Sequence, residues 1–377
     1  MKKFIIAPDS FKGTASAEEI CRIGGNAIKR IIHGAEIFPL PVADGGEGTS
    51  DCFRACLGGE RIELSVSGPH FDKVMSYYTL ADDTAVIEIA AAASLPMAGE
   101  NNDPSLATTY GVGELISDAL RRGAKRIVLG LGGSATNDAG CGLAAVLGVR
   151  FIDSDGNDFI PTGGTLSKIS EIDISCAKEL LSGVEVTAMC DVDNPLFGRN
   201  GASYVFAPQK GADSAMVEFL DGNLRYFADV VKRNLGIDIS SIQGGGAAGG
   251  AGAGALVFLG AELRSGIDTV LDICGFDSLL KDADLVITGE GRIDSQTSGG
   301  KAVSGIAVRA KNAGIPVAVI AGDIGDNIES LYDTGVSFVL STNRVAKNFS
   351  ETKHRAKSDL ELTFETLARI IKTIEKN

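Results

Sequence analysis

Residues 4–31 read FIIAPDSFKGTASAEEICRIGGNAIKRI. The order of apolar and polar residues in this stretch indicates the architecture of the domain that contains it. It begins with an apolar run, Phe4 to Ala7, that is typical of a buried strand. Ser16 and Glu19 then form a capping box, in which each side chain satisfies a backbone N–H at the start of a helix. The apolar residues from Ile20 to Ile31 recur at helical spacing. A βα unit is therefore predicted to open the chain.

The same alternation continues in both terminal parts of the chain. A second strand is predicted at 37–42 and a second helix at 53–57. Towards the C-terminus the pattern predicts strands at 284–288, 315–321 and 337–340 and helices at 300–313, 328–332 and 358–376. Strands that alternate with helices form a parallel sheet covered on both faces, and ligands bind at the carboxyl ends of its strands.

The centre of the chain has a different pattern. Three β-rich runs, 62–66, 74–80 and 85–89, follow one another with short turns between them, which favours antiparallel or mixed pairing. The predicted fold class is therefore α/β. We expect a doubly wound parallel-sheet (Rossmann-like) domain made of residues 1–65 and 278–377, with a mixed α/β domain, residues 66–277, inserted into it.

Composition and charge exclude several classes of protein. The chain has 377 residues, 48 of them glycine, without a G-X-Y period, and 44% are hydrophobic, so it is neither collagen nor a disordered tract. Its net charge of −14 argues against binding to nucleic acid or to an anionic membrane. No apolar run reaches the roughly 18 residues of a spanning helix, and the N-terminal apolar run is too short for a signal peptide. A cytoplasmic location is expected.

The cysteines and histidines do not suggest a zinc site. The seven cysteines include no CxxC pair, and only Cys52 and Cys56 are close together, at helical spacing. We therefore expect buried, reduced thiols. His33, His70 and His354 have no metal-ligand spacing, and no G-x-S-x-G motif indicates a hydrolase triad.

Five segments rich in glycine, acids and hydroxyls lie where strands are predicted to end: 9–14, 43–49, 130–138, 190–195 and 288–297. In the first two and the last, the segment follows a strand and precedes a helix, so its backbone N–H groups can face an anion while its acids lie beside it. This combination suggests a metal-bound phosphate. The alternative is that these residue types are simply good turn and cap residues.

Two glycine-rich runs could contact a nucleotide. Residues 130–135, GLGGSA, can hold phosphates with main-chain donors and the Ser134 hydroxyl, but they lack the lysine of a P-loop. Residues 244–249 formally match G-x-G-x-x-G, but the preceding segment is a poor strand. No helix or strand propensity explains 244–254, which consists of glycine and alanine alone. A flexible or closely approached wall of a ligand site and tight helix packing around 252–260 both stay open.

Carboxylates outnumber cations in these segments, so a divalent metal is expected to balance them. The acids are Asp9, Asp44, Glu47, Asp138, Asp191, Asp193, Glu290 and Asp294, and the nearby cations are Lys12, Arg199, Lys210, Arg292 and Lys301. Mg²⁺ binds one or two carboxylates together with phosphate oxygens and water, which fits this set.

Several of these segments belong to longer motifs that resemble the bacterial type I glycerate kinase family. The motifs are APDSFKG (7–13), ADGGEGT (43–49), TTYGVGELI (108–116), GGSATND (132–138), CDVDNPL (190–196), FAPQKGA (206–212) and TGEGRIDSQT (288–297). Two departures are that the family usually has glycine where Ala139 stands and LTTTYG where this chain has Leu106 to Gly111. The resemblance implies Mg²⁺-assisted phosphorylation of D-glycerate by ATP, usually at the 2-hydroxyl, in a cleft between two α/β domains.

Within that framework the chemistry of the residues predicts their roles. Asp294 is expected to orient the glycerate hydroxyl as the base, and Asp44 is an equally good candidate for that role. Arg292 is expected to stabilise the transferred charge. The alternative is that Arg292 and Asp294 only form an ion pair and cap the following helix. Lys12, Arg292 or Lys301 could bind the glycerate carboxylate. The residues expected to contact ATP are Gly132, Gly133, Ser134, Asn137, Lys210 and Lys301, and those expected to hold Mg²⁺ are Asp191 and Glu290.

Two other functions stay open on the residues alone. An oxidoreductase could bind NAD at 130–135 or 244–249, and a non-catalytic protein could bind a sugar acid. A small-molecule substrate is the only partner predicted, with a homodimer left open.

Overall fold

The structure is a computed structural model that describes residues 2–100, 102–294 and 302–374. Within these residues the strands are β1 (Lys3–Pro8), β2 (Glu36–Pro39), β3 (Glu60–Ser67), β4 (Lys73–Ala81), β5 (Thr84–Glu88), β6 (Arg126–Gly130), β7 (Arg150–Ile152), β8 (Asp158–Phe159), β9 (Glu171–Asp173), β10 (Glu185–Met189), β11 (Glu262–Arg264), β12 (Leu285–Gly289), β13 (Arg292–Ile293), β14 (Val317–Ala321), β15 (Asp323–Ile324) and β16 (Val336–Ser341).

The helices alternate with these strands in the terminal parts of the chain and cluster in its centre. They are α1 (Ala17–Ile31), α2 (Thr49–Leu57), α3 (Ala90–Ala93), α4 (Leu95–Ala98), α5 (Tyr110–Arg121), α6 (Cys141–Val146), α7 (Ser175–Leu180), α8 (Ala202–Phe206), α9 (Ser214–Leu235), α10 (Ala247–Leu259), α11 (Gly266–Ile273), α12 (Phe276–Leu280), α13 (Ala302–Asn312), α14 (Glu329–Thr334), α15 (Phe349–Thr352) and α16 (Ala356–Ile374). Short 3₁₀ helices lie at Leu166–Lys168, Pro208–Lys210 and Lys353–Arg355.

The chain forms two compact units, and the first contains both termini. Unit 1 consists of Met1–Asp44, Asp51–Leu57 and Ile267–Asn377. Its main sheet has the strand order β16-β14-β12-β1-β2, and all neighbouring strands are parallel. Strands from the two ends of the chain therefore pair directly, as a doubly wound domain interrupted by an insertion requires.

Helices α1 and α16 pack on each other against this sheet. The predicted capping box begins α1, since the Ser16 hydroxyl accepts a hydrogen bond from the Glu19 amide and the Glu19 carboxylate accepts one from the Ser16 amide. The ring of Phe364 lies so close to α1 that a Cβ at Gly24 would be 2.5 Å from it. A glycine at this position is thus required by the close approach of the two helices.

Unit 2 consists of Gly45–Ser50 and Gly58–Gly266. Its large sheet has the order β11-β10-β6-β5-β4-β3, in which the first four strands are parallel and β4 and β3 are antiparallel to their neighbours. A small antiparallel sheet, β8-β7-β9, completes it. The predicted α/β class, with a parallel sheet and a mixed sheet, is confirmed; the proposed domain boundaries at 65/66 and 277/278 stay predictions.

The glycine and alanine run forms part of a helix, which propensity alone does not predict. Residues 248–250 have left-handed backbone angles, and the helical residues after them pack against neighbouring backbone. A Cβ at Gly252 would lie 2.3 Å from the carbonyl oxygen of Gly244, and one at Gly254 would lie 2.1 Å from that of Ala139. The tight helix packing expected in one of the two interpretations is thus present.

Among the helices in the described part of the chain, none has both the length and the apolar character that crossing a bilayer requires.

Candidate functional site

Two acidic side chains follow neighbouring strands at the carboxyl edge of the parallel sheet in unit 1. Asp9 comes directly after β1 and Glu290 directly after β12. The two strands are parallel neighbours with Pro8 opposite Gly289, and the Asp9 amide donates a 2.8 Å hydrogen bond to the Gly289 carbonyl. The sheet register thus places Asp9 and Glu290 side by side.

The Asp9 carboxyl group holds its proton more tightly than an ordinary aspartic acid side chain does. Burial and the negative charge of Asp44 raise the pKa of Asp9 to about 6, and Glu290 adds to this rise. The Ser10 amide, which donates a 2.6 Å hydrogen bond to Asp9, and the Lys12 ammonium both act to lower that pKa. Asp9, Lys12, Asp44 and Glu290 are therefore one electrostatic group, called the acidic cluster below.

Glycines near the acidic cluster are required by close backbone contacts. A Cβ at Gly289 would lie 1.8 Å from the Ile320 carbonyl oxygen, and one at Gly322 would lie 2.4 Å from the Gly291 carbonyl oxygen. The glycines of the segment that begins at residue 288 thus let the loops after β12 and β14 lie against each other.

Arg292 and Asp294 form an ion pair in unit 1. Arg292 Nε lies 3.5 Å from an Asp294 carboxylate oxygen, and the Arg292 side chain is 65% exposed. The pairing predicted as the structural alternative is thus present, which leaves the catalytic roles of both residues as predictions. Lys301 and the end of the TGEGRIDSQT motif, residues 295–297, lie outside the described residues.

In unit 2 the glycine-rich loop between β6 and α6 lies against the segment that begins at Gly45. The Gly132 amide donates a 3.0 Å hydrogen bond to the Gly45 carbonyl, and a Cβ at Gly132 would lie 2.6 Å from Gly46 Cα. Gly133 has a φ of 76°, in the left-handed region. Two of the sequence motifs therefore contact each other, and their glycines allow it.

Lys210 supports this loop from within. Its side chain is buried, and its ammonium donates to Ser134 Oγ at 3.0 Å and to the Thr136 carbonyl at 2.7 Å. Asn102 donates to the Ala135 carbonyl and to the Lys210 carbonyl, at 3.1 Å and 2.8 Å. Burial lowers the pKa of Lys210 to about 7, although the Asp138 carboxylate opposes this shift.

Asp138 fixes the end of the same loop. Its carboxylate accepts hydrogen bonds from the Thr109 amide and hydroxyl, both at 2.8 Å, and from the amides of Gly140 and Gly142. Burial raises the pKa of Asp138, and these hydrogen bonds act in the opposite direction. Asp138 and Thr109 therefore join the GGSATND and TTYGVGELI motifs structurally.

Buried oxygens of the loop and of the neighbouring Asn102 lack a hydrogen-bond partner among the residues that the structure describes. Asn137 donates to Ser203 Oγ at 3.3 Å, but the side-chain oxygens of Asn102, Thr136 and Asn137 are buried without a hydrogen-bond partner among the described residues. Unpaired buried polar atoms are costly in a native protein unless a ligand or bound water supplies the missing donor. The loop thus fits a polar ligand better than an empty, self-contained turn.

The donor chemistry fits a magnesium ion in part. Within residues 2–100, 102–294 and 302–374, no group of three or more His, Cys, Asp or Glu is arranged to hold a metal. Mg²⁺ usually needs only one or two carboxylates because phosphate oxygens and water complete its shell, so the acidic cluster is compatible with it. Asp191, in unit 2, is exposed, and its Oδ1 accepts a 2.7 Å hydrogen bond from the Gly266 amide.

Two residues stand out in the structure more than in the sequence. Asp9 was only one of eight candidate acids, and the pairing of β1 with β12 is what places it beside Glu290. Asp138 was also among those acids, but its role in holding the loop depends on Thr109, which is distant in sequence. Strand pairing and loop contacts of this kind leave no periodic signal in the sequence.

Comparisons with known proteins agree with one another. The model of a family described as the glycerate kinase family matches residues 4–372. A glycerate kinase from Bacillus cereus is 43% identical over 373 residues, which are 98% of each chain. A glycerate 2-kinase from Escherichia coli is 43% identical over 342 residues, or 90% of each chain. A crystal structure that carries the name glycerate kinase 2, from Salmonella typhimurium LT2, has a TM-score of 0.91 and 40% identity and covers 100% of both chains.

Proposed function

Since the chain belongs to the glycerate kinase family, we propose that it transfers the γ-phosphoryl group of ATP to the 2-hydroxyl of D-glycerate. The observation that carries this proposal is the family match across almost the whole chain, residues 4–372. The relative named glycerate 2-kinase supports the choice of the 2-hydroxyl over the 3-hydroxyl.

The acidic cluster supplies the group that accepts the hydroxyl proton. Phosphoryl transfer depends mainly on positioning and charge stabilisation, together with a carboxylate that orients the attacking hydroxyl. A general base works best when its pKa lies near the working pH, and the Asp9 pKa of about 6 meets this condition. We propose Asp9 as the base, with Asp44 maintaining its raised pKa and Asp294 as the alternative base.

Cations near the acidic cluster bind the carboxylate of glycerate in this proposal. Lys12 interacts electrostatically with Asp9, so it would hold the substrate next to the proposed base. Arg292 offers a bidentate contact and stabilises the transferred charge, and breaking its 3.5 Å pair with Asp294 costs little at an exposed position. Lys301 is retained as a further candidate from its sequence motif.

The glycine-rich loop of unit 2 binds ATP in this proposal. Gly133, Ser134 and Asn137 would contact the nucleotide, while Lys210 would act behind the loop because it already bonds Ser134 and the Thr136 carbonyl. Glu290 and Asp191 are the proposed ligands of Mg²⁺. When bound, the ion neutralises phosphate charge and aligns the donor for transfer.

An assay of products tests the proposal directly. Purified protein with ATP, Mg²⁺ and D-glycerate is expected to release ADP, and NMR of the product is expected to show 2-phosphoglycerate. A 3-phosphoglycerate product would refute the regiochemistry alone. No ADP release, together with a change in nicotinamide absorbance when NAD and a hydroxy acid are supplied, would instead support the oxidoreductase.

Candidate groups occur in both units, so we propose that catalysis needs both and that the predicted cleft closes when the substrates bind. The expected result is a change in the small-angle scattering profile when an ATP analogue and D-glycerate are added together. An unchanged profile would contradict the prediction of a closing cleft. A cytoplasmic location and a homodimer also stay predictions.

A further inference from the structure

The carboxyl group of Glu88 is buried, and the proposed mechanism does not use it. Glu88 is the last residue of β5 and lies opposite Gly130, the last residue of β6. Burying a carboxyl group is unfavourable unless it is hydrogen-bonded, so a buried glutamate needs a structural or functional reason. The position of Glu88, beside the start of the glycine-rich loop, indicates that the reason concerns this loop.

Glu88 holds the backbone of Ser50. The Ser50 amide donates a 2.7 Å hydrogen bond to the Glu88 carboxyl group. The Ser50 hydroxyl donates to Thr79 Oγ1 at 2.8 Å, and the Thr79 hydroxyl donates to the Ser50 carbonyl at 3.0 Å. Thr79 on β4 lies opposite Val86, and Glu88 follows two positions after Val86, so both polar side chains project from the same face of the sheet. Two strands of unit 2 thus bind the amide, the carbonyl and the hydroxyl of Ser50.

The hydrogen bond from Ser50 determines which group lies at the beginning of α2. Ser50 is the second residue of this helix. The first turn of a helix favours an acidic group, because its amides have no partner within the helix. At the Ser50 amide that group is a side chain of the protein, so this amide is not available to a phosphate. The contact with Glu88 instead fixes the segment that precedes α2.

Residues 45–50 continue from this contact to the glycine-rich loop. At the other end of the segment the Gly45 carbonyl accepts the hydrogen bond of the Gly132 amide, and a Cβ at Gly130 would lie 2.6 Å from the same carbonyl oxygen. Gly45 and Gly48 have φ values of 88° and 93°, which glycine adopts without strain but does not favour over its other conformations. The segment therefore depends on the contacts at its two ends for its position.

We propose that Glu88 is a positioning residue for the nucleotide. By holding Ser50 it fixes residues 45–50, and through the Gly45 carbonyl it keeps the Gly132 amide and the loop around it in the conformation that binds ATP. This inference rests on the proposed function for the identity of the nucleotide. The link from Glu88 to Gly132 is a property of unit 2 and can be measured without a substrate.

Hydrogen exchange of backbone amides tests the link. Glu88→Met removes the acceptor of the Ser50 amide and keeps a side chain of similar size. We expect the amides of Ser50 and Gly132 to exchange at least about 10-fold faster than in the wild type, because the loss of a buried partner favours local opening. Glu88→Gln retains a side-chain oxygen that can accept the same hydrogen bond, and it is expected to keep both rates within a factor of about three.

An amide outside these contacts is the internal control. The Ser170 amide donates a 2.8 Å hydrogen bond to the Ile152 carbonyl in unit 2, and its exchange is expected to be unchanged in Glu88→Met. Faster exchange at Ser50 without faster exchange at Gly132 would overturn the proposal. Equal acceleration at all three amides would also overturn it, because the effect of Glu88 would then be general.

A second variant tests the same link if Glu88→Met does not fold. Thr79→Val keeps Glu88 and removes both hydroxyl hydrogen bonds to Ser50, with little change in shape. It is expected to accelerate exchange at Gly132 at least about 3-fold. Unchanged exchange at Gly132 in this variant would overturn the proposal.

Kinetics with both substrates separate positioning from a merely structural role. In Glu88→Met we expect KM for ATP to rise at least about 10-fold while kcat and KM for D-glycerate change less than about 3-fold, and Glu88→Gln is expected to restore KM for ATP. The matched control is Glu185→Gln, at an exposed position on β10, which is expected to change none of these values. Unchanged KM for ATP in Glu88→Met would refute the positioning role alone. Wild-type protein that makes no ADP from ATP and D-glycerate would instead refute the proposed function.

Discussion

Replacement of Asp9 by asparagine separates stability from catalysis at a single residue. The pKa of Asp9 is raised from 3.8 to about 6 in the folded protein, so the folded state binds this proton more tightly than the unfolded state does. Stability from this group is fully present below pH 3.8 and is lost as pH rises through about 6. Asp9→Asn removes this loss of stability at high pH, because the asparagine side chain does not ionise. We expect a higher Tm than wild type at pH 8, no gain at pH 4, and a fall in kcat on the order of 10²-fold or more.

Two carboxylate controls make this prediction specific. Asp326→Asn changes an exposed carboxylate of unit 1 and is expected to alter neither Tm nor kcat. Asp294→Asn is expected to keep kcat within a factor of about three if Asp294 only pairs with Arg292. A loss of about 10²-fold in Asp294→Asn, with Asp9→Asn active, would transfer the role of base to Asp294.

Lys210 is expected to act on ATP affinity through the loop that it holds. Lys210→Met removes two hydrogen bonds to residues 134 and 136 but fills the same buried space with an apolar side chain. The loss of this donor at Ser134 Oγ and the Thr136 carbonyl is expected to cost about 1–3 kcal/mol of stability for each acceptor left unpaired. We expect a folded enzyme whose KM for ATP rises at least about 10-fold, while KM for D-glycerate changes little.

The control for Lys210 is a lysine on the surface of unit 2. Lys232→Met removes an exposed ammonium that bonds Asp238 at 2.7 Å, and it is expected to leave both KM values unchanged. Equal rises in both KM values of Lys210→Met would indicate a general disturbance of the protein instead of a role in positioning the nucleotide loop.

At the scale of elements, helix α10 supports the nucleotide loop by close packing. In Gly254→Ala the new methyl group would lie 2.1 Å from the Ala139 carbonyl oxygen, which is backbone and cannot rotate away. We expect a loss of about 1–3 kcal/mol in the free energy of unfolding, measured by urea denaturation. KM for ATP should rise as well, since Ala139 lies next to Asp138.

A matched glycine distinguishes packing from propensity. Gly222 lies within α9, and a Cβ there would have nothing within 4 Å. Gly222→Ala is therefore expected to stabilise the protein by about 0.5–1 kcal/mol, because alanine has the higher helix propensity. If Gly254→Ala stabilised the protein like Gly222→Ala, the packing of α10 against the loop would be refuted.

The helices and strands that could be predicted from the sequence are those that have a local cause, which means that they depend on residues close together along the chain. The strand before Pro8 and the capping box of Ser16 and Glu19 depend on residues a few positions apart, and the structure confirms both. Helix α10 has no such local cause, because its glycines are fixed by contacts with residues 139 and 244. The sequence thus located the motifs, whereas the contacts among their residues required the three-dimensional structure.

At the scale of the whole molecule, each unit has a core of its own. In unit 1 the ring of Phe364 is buried with the apolar residues of β1, α1 and β12. In unit 2 Phe227 and Phe258 lie in a separate core, and the centroids of their rings are 6.1 Å apart. The sheet of unit 1 needs both ends of the chain, whereas unit 2 is almost one continuous segment. This organisation predicts that residues of the same unit open together in local unfolding, even when they are far apart in the sequence.

Hydrogen exchange in a core variant tests that prediction. Phe364→Ala, near the C-terminus, is expected to destabilise unit 1 by about 3–5 kcal/mol, because it leaves a cavity between α16 and α1. Since β1 belongs to the same unit, its amides should exchange faster although they lie at the other end of the sequence, while β6 and β10 of unit 2 stay protected. Phe227→Ala should give the reverse pattern. If Phe364→Ala instead accelerated exchange in β6 as much as in β1, the two units would open as a single cooperative body, and substitutions in either core would weaken both.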